Sequence, residues 1–289
     1  MTRLALGTVQ FGQQYGIANI SGQVDPETVA AILTRARTSG VDTLDTAIAY
    51  GSSESRLGGA GISSWRVITK LPPLPAGVPN ISEWVEAQVH GSLRRMRITH
   101  MEALLLHRPS DVLGPAGAGF IEALEALKSQ GLIRGAGISI YDPAELDAVC
   151  CVWQPDMVQA PCNVLDRRLI RSGWLERLHG LGVRVHVRSL FLQGLLLMPE
   201  ALRPEWFNRW KKLLSRWTKW CNDNRVTHLQ ATLAFAQALP SIERLIVGVD
   251  SVKQLDEILA AADAASPVPP DDLFSDDPEL VEPSRWRLT

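Results

Sequence analysis

Residues 25–46 read DPETVAAILTRARTSGVDTLDT, one complete step of a repeating pattern. Asp25 before Pro26 and Glu27 is a helix start: the acid caps free backbone N–H groups, and proline at the first helical position sacrifices no hydrogen bond. The stretch predicts a helix over Pro26–Ser39 and a left-handed stop at Gly40. A short strand, Thr43–Thr46, follows. Asp142-Pro143 repeats the start signal, and Gly131 and Gly182 repeat the stop. Short apolar runs at Leu4–Thr8, Arg66–Lys70, Glu102–His107, Gly135–Ser139, Asp156–Ala160, Arg184–Ser189 and Leu245–Val249 complete eight strands. Helical segments separate them at Ile81–Met96, Phe120–Ser129, Pro143–Cys151, Arg171–Leu181, His228–Leu239 and Val252–Ala262. Such alternation means parallel strands joined by helical crossovers, and eight units close into an α/β (β/α)8 TIM barrel. No Gly-x-Gly-x-x-Gly follows the first strand: Gly58-Gly59-Ala60-Gly61 precedes a strand and Gly135-Ala136-Gly137 lies within one. A doubly wound dinucleotide fold is the weaker architecture.

The length of 289 residues suits one barrel domain spanning 1–289. With 46% hydrophobic and 21% charged residues the chain is a packed globular protein, not a disordered one. Lys and Arg number 29 against 31 Asp and Glu, a net charge of −2, which supplies no field for nucleic acid or an anionic membrane. No apolar run is long enough to span a bilayer, and MTRLALGTVQ lacks a signal-peptide pattern. Cys150, Cys151, Cys162 and Cys221 have neither redox nor zinc spacing and read as reduced thiols in a cytoplasmic protein. An additional helix is expected between Pro199 and Asn224, after the seventh strand. Its Trp206, Trp210, Leu213, Trp217 and Trp220 form one apolar stripe, with Arg209, Lys211, Lys212, Arg216 and Lys219 around the rest. A membrane or nucleobase contact is one reading; packing across the barrel with the charges in water is preferred. A Pro- and Asp-rich tail ends in Pro283-Ser284-Arg285-Trp286.

In a parallel barrel the active site lies where the strands end. The second strand runs out through Leu44-Asp45-Thr46-Ala47-Ile48-Ala49-Tyr50, the third ends Ile68-Thr69-Lys70, and the fourth ends Leu106-His107. Singly, such residues read as a cap, a solvated end or a satisfied polar neighbour. Together on one rim, Asp45, Tyr50, Lys70 and His107 read as a site. A phenol is a poor acid near neutrality, but a nearby ammonium stabilises the phenolate that proton donation leaves behind. Asp45 would pair with Lys70 and fix it. His107 would hold a substrate oxygen as negative charge develops on it. The chain has no Gly-x-Ser-x-Gly, no His-Glu-x-x-His and no clustered metal ligands. An acid and an oxyanion donor without nucleophile or metal fit carbonyl reduction by a bound hydride donor.

Gly7-Thr8, Asp45-Thr46-Ala47 with Tyr50-Gly51, Thr69-Lys70, His107-Arg108-Pro109 and Gly137-Ile138-Ser139 resemble the aldo-keto reductases. The likeness runs in order from about Leu4 to Glu257. It implies a barrel that binds NADPH, or alternatively NADH, in extended form and reduces aldehydes or ketones. In that family Tyr is the proton donor, Lys and Asp tune it, and His orients the carbonyl; those roles pass to Tyr50, Lys70, Asp45 and His107. On the same resemblance Gly7, Thr8 and Asp45 border the cofactor, and Ser139 and Gln159 grip the nicotinamide carboxamide. Ile140 stands where the family usually has Asn. Arg188 occupies a position often held by an aromatic residue against the nicotinamide ring, where a guanidinium stacks or binds an acidic or hydroxyl-rich substrate. Backbone N–H groups after Ser189, with Phe191 and Gln193, would receive the pyrophosphate. Gly248-Val249-Asp250-Ser251 with Gln254 and Glu257 resembles the adenosine-phosphate site. There Gly248 and Gln254 replace the cations of some relatives, Ile258 replaces a frequent Asn, and Ser251 would cap a helix in any case. His186 and Arg188, two residues apart, share a strand face, and a buried guanidinium needs the ring, a carboxylate or a polar substrate as partner. The expected partner is a small carbonyl or alcohol, a sugar-like or acidic one being compatible with the polar rim, with no nucleic acid and no membrane, on a monomer or small homo-oligomer. Two other readings stay open: a regulatory barrel that holds the cofactor as a structural ligand, and an unrelated barrel such as an isomerase.

Overall fold

The structure, a computed structural model, describes residues 2–19 and 22–288. Eight parallel strands close a barrel in chain order: β1 Leu4–Gly7, β2 Thr43–Asp45, β3 Arg66–Leu71, β4 Ala103–Leu106, β5 Ala136–Ser139, β6 Met157–Pro161, β7 Arg184–Arg188 and β8 Arg244–Gly248. β8 returns to β1 with Leu4 opposite Leu245 and Gly7 opposite Gly248. This is the (β/α)8 TIM barrel that the alternation predicts, each strand end lying within one residue of its expected place. The main helices are α1 Pro26–Thr38, α2 Ser53–Ala60, α3 Ile81–Met96, α4 Gly117–Ser129, α5 Glu145–Val152, α6 Trp174–Gly180, α7 Lys211–Asp223, α8 His228–Gln237 and α9 Val252–Asp263. Asp25 accepts the Thr28 N–H at the start of α1, as its sequence demands.

Three local expectations are corrected. α5 starts beyond Asp142-Pro143, because Glu145 accepts the Tyr141 and Asp142 N–H groups while Asp142 accepts that of Ala144, and these bonds hold 141–144 as a turn. The segment expected as one helix from Arg171 to Leu181 is broken by Gly173, which is left-handed at φ 77°, into Arg168–Arg171 and α6. α2 was not foreseen, since Ser-Glu-Ser-Arg-Leu-Gly-Gly-Ala is a weak helix former. Tertiary contacts hold it instead. Buried Glu54 accepts from Thr69 Oγ1 at 2.8 Å, from Arg95 Nε at 2.8 Å and from Ser92. Gly58 lies so close to the backbone of Arg95 and Met96 that any Cβ there would collide.

Strand alternation sorts the side chains into two layers. Leu6, Leu44, Val67, Leu104, Ile138, Val158, Val187 and Val247 face outward and join the core under the helices. Ile68, Ala103, Leu105 and Met157 form a separate apolar plug inside the barrel. Two residues on from Ile68, Leu105 and Met157, on the same faces, stand Lys70, His107 and Gln159. The period of two thus stacks polar side chains above the plug, at the mouth.

The tryptophan-rich insertion is not one helix. After Pro199 and Pro204 come 3-10 turns, Glu200–Leu202 and Glu205–Trp210, and only then α7. Its aromatic stripe faces the protein: Trp217 is fully buried, donates to the Leu196 carbonyl at 3.0 Å and stacks on Trp220. Phe207 meets Trp286 edge-to-face, and Trp210 donates to Asp277. The basic residues look outward and pair with acids, Arg216 with Asp272 and Arg209 with Glu279. Arg167 and Arg168 fasten the tail through Asp271 and Glu282. No helix among the described residues is long and apolar enough to cross a membrane.

Candidate active site

Lys70, fully buried at the end of β3, donates to both oxygens of Asp45 at 3.0 and 2.8 Å and to the Thr46 carbonyl at 2.9 Å. Burial works against its charge, but Asp45 and Tyr50 together outweigh that cost and Lys70 titrates above the ordinary lysine range. Its ammonium sits 5.2 Å from the centroid of the Tyr50 ring, and Tyr50 meets His107 edge-on with centroids 6.3 Å apart. Burial, then the charges of Lys70 and Arg188, push His107 down to about 4, so the imidazole is neutral at physiological pH. The four residues expected to act together do stand together.

They form one end of a cleft of about 520 Å³ at the barrel mouth. Of the remaining expected residues, Gly7, Thr8, Ser139, Gln159, Arg188, Ser189, Phe191, Gln193, Gly248, Gln254 and Glu257 line it. Ser251 does not; its hydroxyl accepts the Gln254 N–H and caps α9. Thr8 lines the wall, yet its hydroxyl is committed inward, donating to the Asp45 carbonyl at 3.0 Å. Gln159 donates Nε2 to Asp45 at 2.6 Å and leaves Oε1 buried without a partner among the described residues. Gln10 Oε1 is orphaned in the same way. Buried acceptors without donors are expensive; Gln159 sits opposite buried Ser139 in the β5–β6 register, and both residues line the cleft.

Past β7 the backbone changes character. Ser189, Leu192, Gln193 and Gly194 all have left-handed φ, at 60°, 48°, 52° and 96°. Three of them fall in the 3-10 turn Leu192–Gly194, and such a run of left-handed residues is a tight, strained bend. Arg188 rests on the Tyr141 ring at 4.4 Å and donates to the Ile140 carbonyl at 2.9 Å. It also donates to Ser189 Oγ at 3.3 Å and lines the cleft; it forms no ion pair among the described residues, so the acid partner considered for it is not there. His186, on the same strand face, pairs with Glu243 at 3.3 Å.

Sequence reasoning missed the wall made by Tyr15, Gly16, Ala18 and Asn19, which lies in irregular chain after β1, and it missed Tyr141 beneath Arg188. An exposed aromatic beside a strand end was the available signal for Tyr141.

The signature of the Aldo/keto reductase family matches residues 3–272. The chain is 25% identical to the NADH-specific methylglyoxal reductase of Escherichia coli, over 90% of each chain. It is 26% identical to the L-galactose dehydrogenase of Arabidopsis thaliana, over 90% of this chain and 85% of the other. Among solved structures, an aldo-keto reductase from Bacillus halodurans in its holo form superposes with a TM-score of 0.72 at 22% identity, covering 92% of this chain and 88% of that one, which shows the shared fold. The chain belongs to the aldo/keto reductase family, oxidoreductases of carbonyl and alcohol groups that work with nicotinamide cofactors.

Proposed function

We propose that the protein reduces the carbonyl of a small polar aldehyde or ketone, or oxidises the matching alcohol, with Tyr50 exchanging the proton. A bound nicotinamide dinucleotide supplies or takes up the hydride. The observation that carries the reading is the buried Lys70–Asp45 pair against the Tyr50 ring. Lys70, kept charged by Asp45, stabilises the phenolate left when Tyr50 gives up its proton. His107, neutral and close to Tyr50, donates an N–H to the substrate oxygen as charge builds there. Ser139 and Gln159 would hold the nicotinamide carboxamide, the Ser189–Gly194 loop the diphosphate, and Gly248, Gln254 and Glu257 the adenosine end.

Arg188, stacked on Tyr141 without a carboxylate, favours a substrate bearing an acid or several hydroxyls. The names of two relatives, a methylglyoxal reductase and an L-galactose dehydrogenase, point to the same class of small polar carbonyls and sugars. All four cysteines are free, in keeping with work in the reducing cytoplasm. The test is a panel of small dicarbonyls, aldoses and 2-oxo acids, followed by loss of the reduced-nicotinamide absorbance. Saturable turnover on one class is expected. Dinucleotide binding with no turnover on any class would favour a barrel that only holds its cofactor.

A further inference from the structure

The catalytic end of the cleft and its far end, where β8 runs into α9, carry opposite charge. The only Lys or Arg side chains among the lining residues are Lys70 and Arg188, both close to Tyr50 and His107. The far end is lined by Gly248, Asp250, Gln254, Glu257 and Ile258: two carboxylates and no cation. Lys253, in the first turn of α9, has its side chain 87% exposed, lies outside the lining and pairs with Glu257 at 3.9 Å. Asp250 is held in place. It is half-buried, its backbone N–H donates to Gln254 Oε1 at 2.7 Å, and its Oδ1 accepts from Asn19 Nδ2 at 3.3 Å.

We propose that Asp250, supported by Glu257, makes this end of the cleft select NADH over NADPH, an inference that rests on the dinucleotide reading above. With the reacting ring at the Tyr50 end, a dinucleotide lying along one continuous cleft puts its adenosine at the other. NADH presents a ribose 2′-hydroxyl there, a donor for a carboxylate. NADPH presents a phosphate, largely dianionic near neutrality, to a fixed carboxylate with no cation to offset it. Doubly wound folds make the same choice, an acid for the 2′-hydroxyl and an arginine for the 2′-phosphate, and the electrostatics does not depend on the fold. This sets NADH before NADPH, the opposite of the order that the resemblance implies. The difference lies in the carboxylate of Asp250, which stands where Gly248 and Gln254 supply no cation.

The test is calorimetric titration of the purified chain, without substrate, using NADH, NADPH, and ADP-ribose with and without a 2′-phosphate. NADH should bind at least about tenfold more tightly than NADPH, and the 2′-phosphate should cost a similar factor in the ADP-ribose pair. The penalty should shrink as salt rises, because exposed charges are screened. Asp250→Asn, which keeps the side chain's shape, should bring the two dinucleotides within about threefold, with a smaller change from Glu257→Gln. Equal or tighter binding of NADPH by the native chain overturns the proposal, as does an unchanged ratio in the double variant at unchanged melting temperature. Should Asp250→Asn fold poorly, the native ratio and its salt dependence still decide. Failure of both dinucleotides to bind is a different outcome, and it removes the cofactor reading together with the selectivity.

Discussion

At the Tyr50 end of the cleft, Lys70 places three hydrogen bonds on Asp45 and Thr46, Gln159 adds a fourth to Asp45, and Thr8 ties the Asp45 carbonyl to β1. At the far end, the Ser189–Gly194 loop is bent by four left-handed residues, and Gln254 and Glu257 stand exposed. The first region is wired by buried hydrogen bonds; the second is held by more exposed contacts, the Asp250 N–H on Gln254 and Lys253 on Glu257. The contrast follows from where the residues sit. On the function proposed above, proton-transfer groups need fixed geometry and project from strand ends or their immediate continuation, whereas the dinucleotide would be held by the loop after β7 and the start of α9.

The largest effect should come from breaking the wired end. Lys70→Met strands the Asp45 carboxylate in a buried site and should destabilise the protein by about 3–5 kcal/mol. Combining it with Asp45→Asn should restore part of that loss, a coupling of at least about 1 kcal/mol in a denaturant double-mutant cycle. Simple additivity would show that the two ends do not differ as described.

Next in size is a pH effect. His107 titrates at about 4 in the folded protein, against an ordinary value of 6.5. Between those values the unfolded chain takes up a proton that the native site refuses. The contribution is therefore fully present above the unfolded value and is lost as pH falls toward 4, by up to about 3 kcal/mol. Urea unfolding of the native chain and of His107→Asn at several pH values should show the slope in the first and lose that part of it in the second.

Gly194→Ala probes the loop. Gly194 has φ 96°, and a Cβ there would stand 2.6 Å from that of Ala18. The substitution should cost about 1–3 kcal/mol of strain and weaken dinucleotide binding, while turnover at saturating dinucleotide survives. Loss of turnover at saturation would mean that the loop shapes the catalytic end as well. The smallest effect expected is that of Arg188→Leu: a loss of stability of no more than about 1–2 kcal/mol, from the Ile140 hydrogen bond and the Tyr141 stacking, and KM for an acidic or polyhydroxy carbonyl raised about tenfold, the worth of one charge-assisted hydrogen bond. A lower melting temperature with KM intact would make Arg188 structural.

The sequence shows the wired end more plainly than the far one, for a physical reason. Ile68 and Lys70, or Leu105 and His107, lie two apart on one strand face, so period and polarity alone place them at the mouth. The wall of Tyr15, Gly16, Ala18 and Asn19 comes from irregular chain, which has no period to read. α2 was hidden because its stability lies in buried Glu54 and the Gly58 contact rather than in helix propensity. The Trp206–Trp220 stripe showed the buried face correctly but not the break at Trp210, where the 3-10 turn gives way to α7.

Tyr50→Phe separates the two regions most directly, because it deletes one hydroxyl at the wired end and touches nothing at the other. Dinucleotide affinity by calorimetry and turnover on the best carbonyl are to be measured on the same preparation. Turnover should fall by about 10²–10⁴-fold, the worth of a positioned acid, with dinucleotide affinity and melting temperature unchanged. Retained turnover, or a parallel loss of affinity, would contradict the division of labour between the two ends of the cleft.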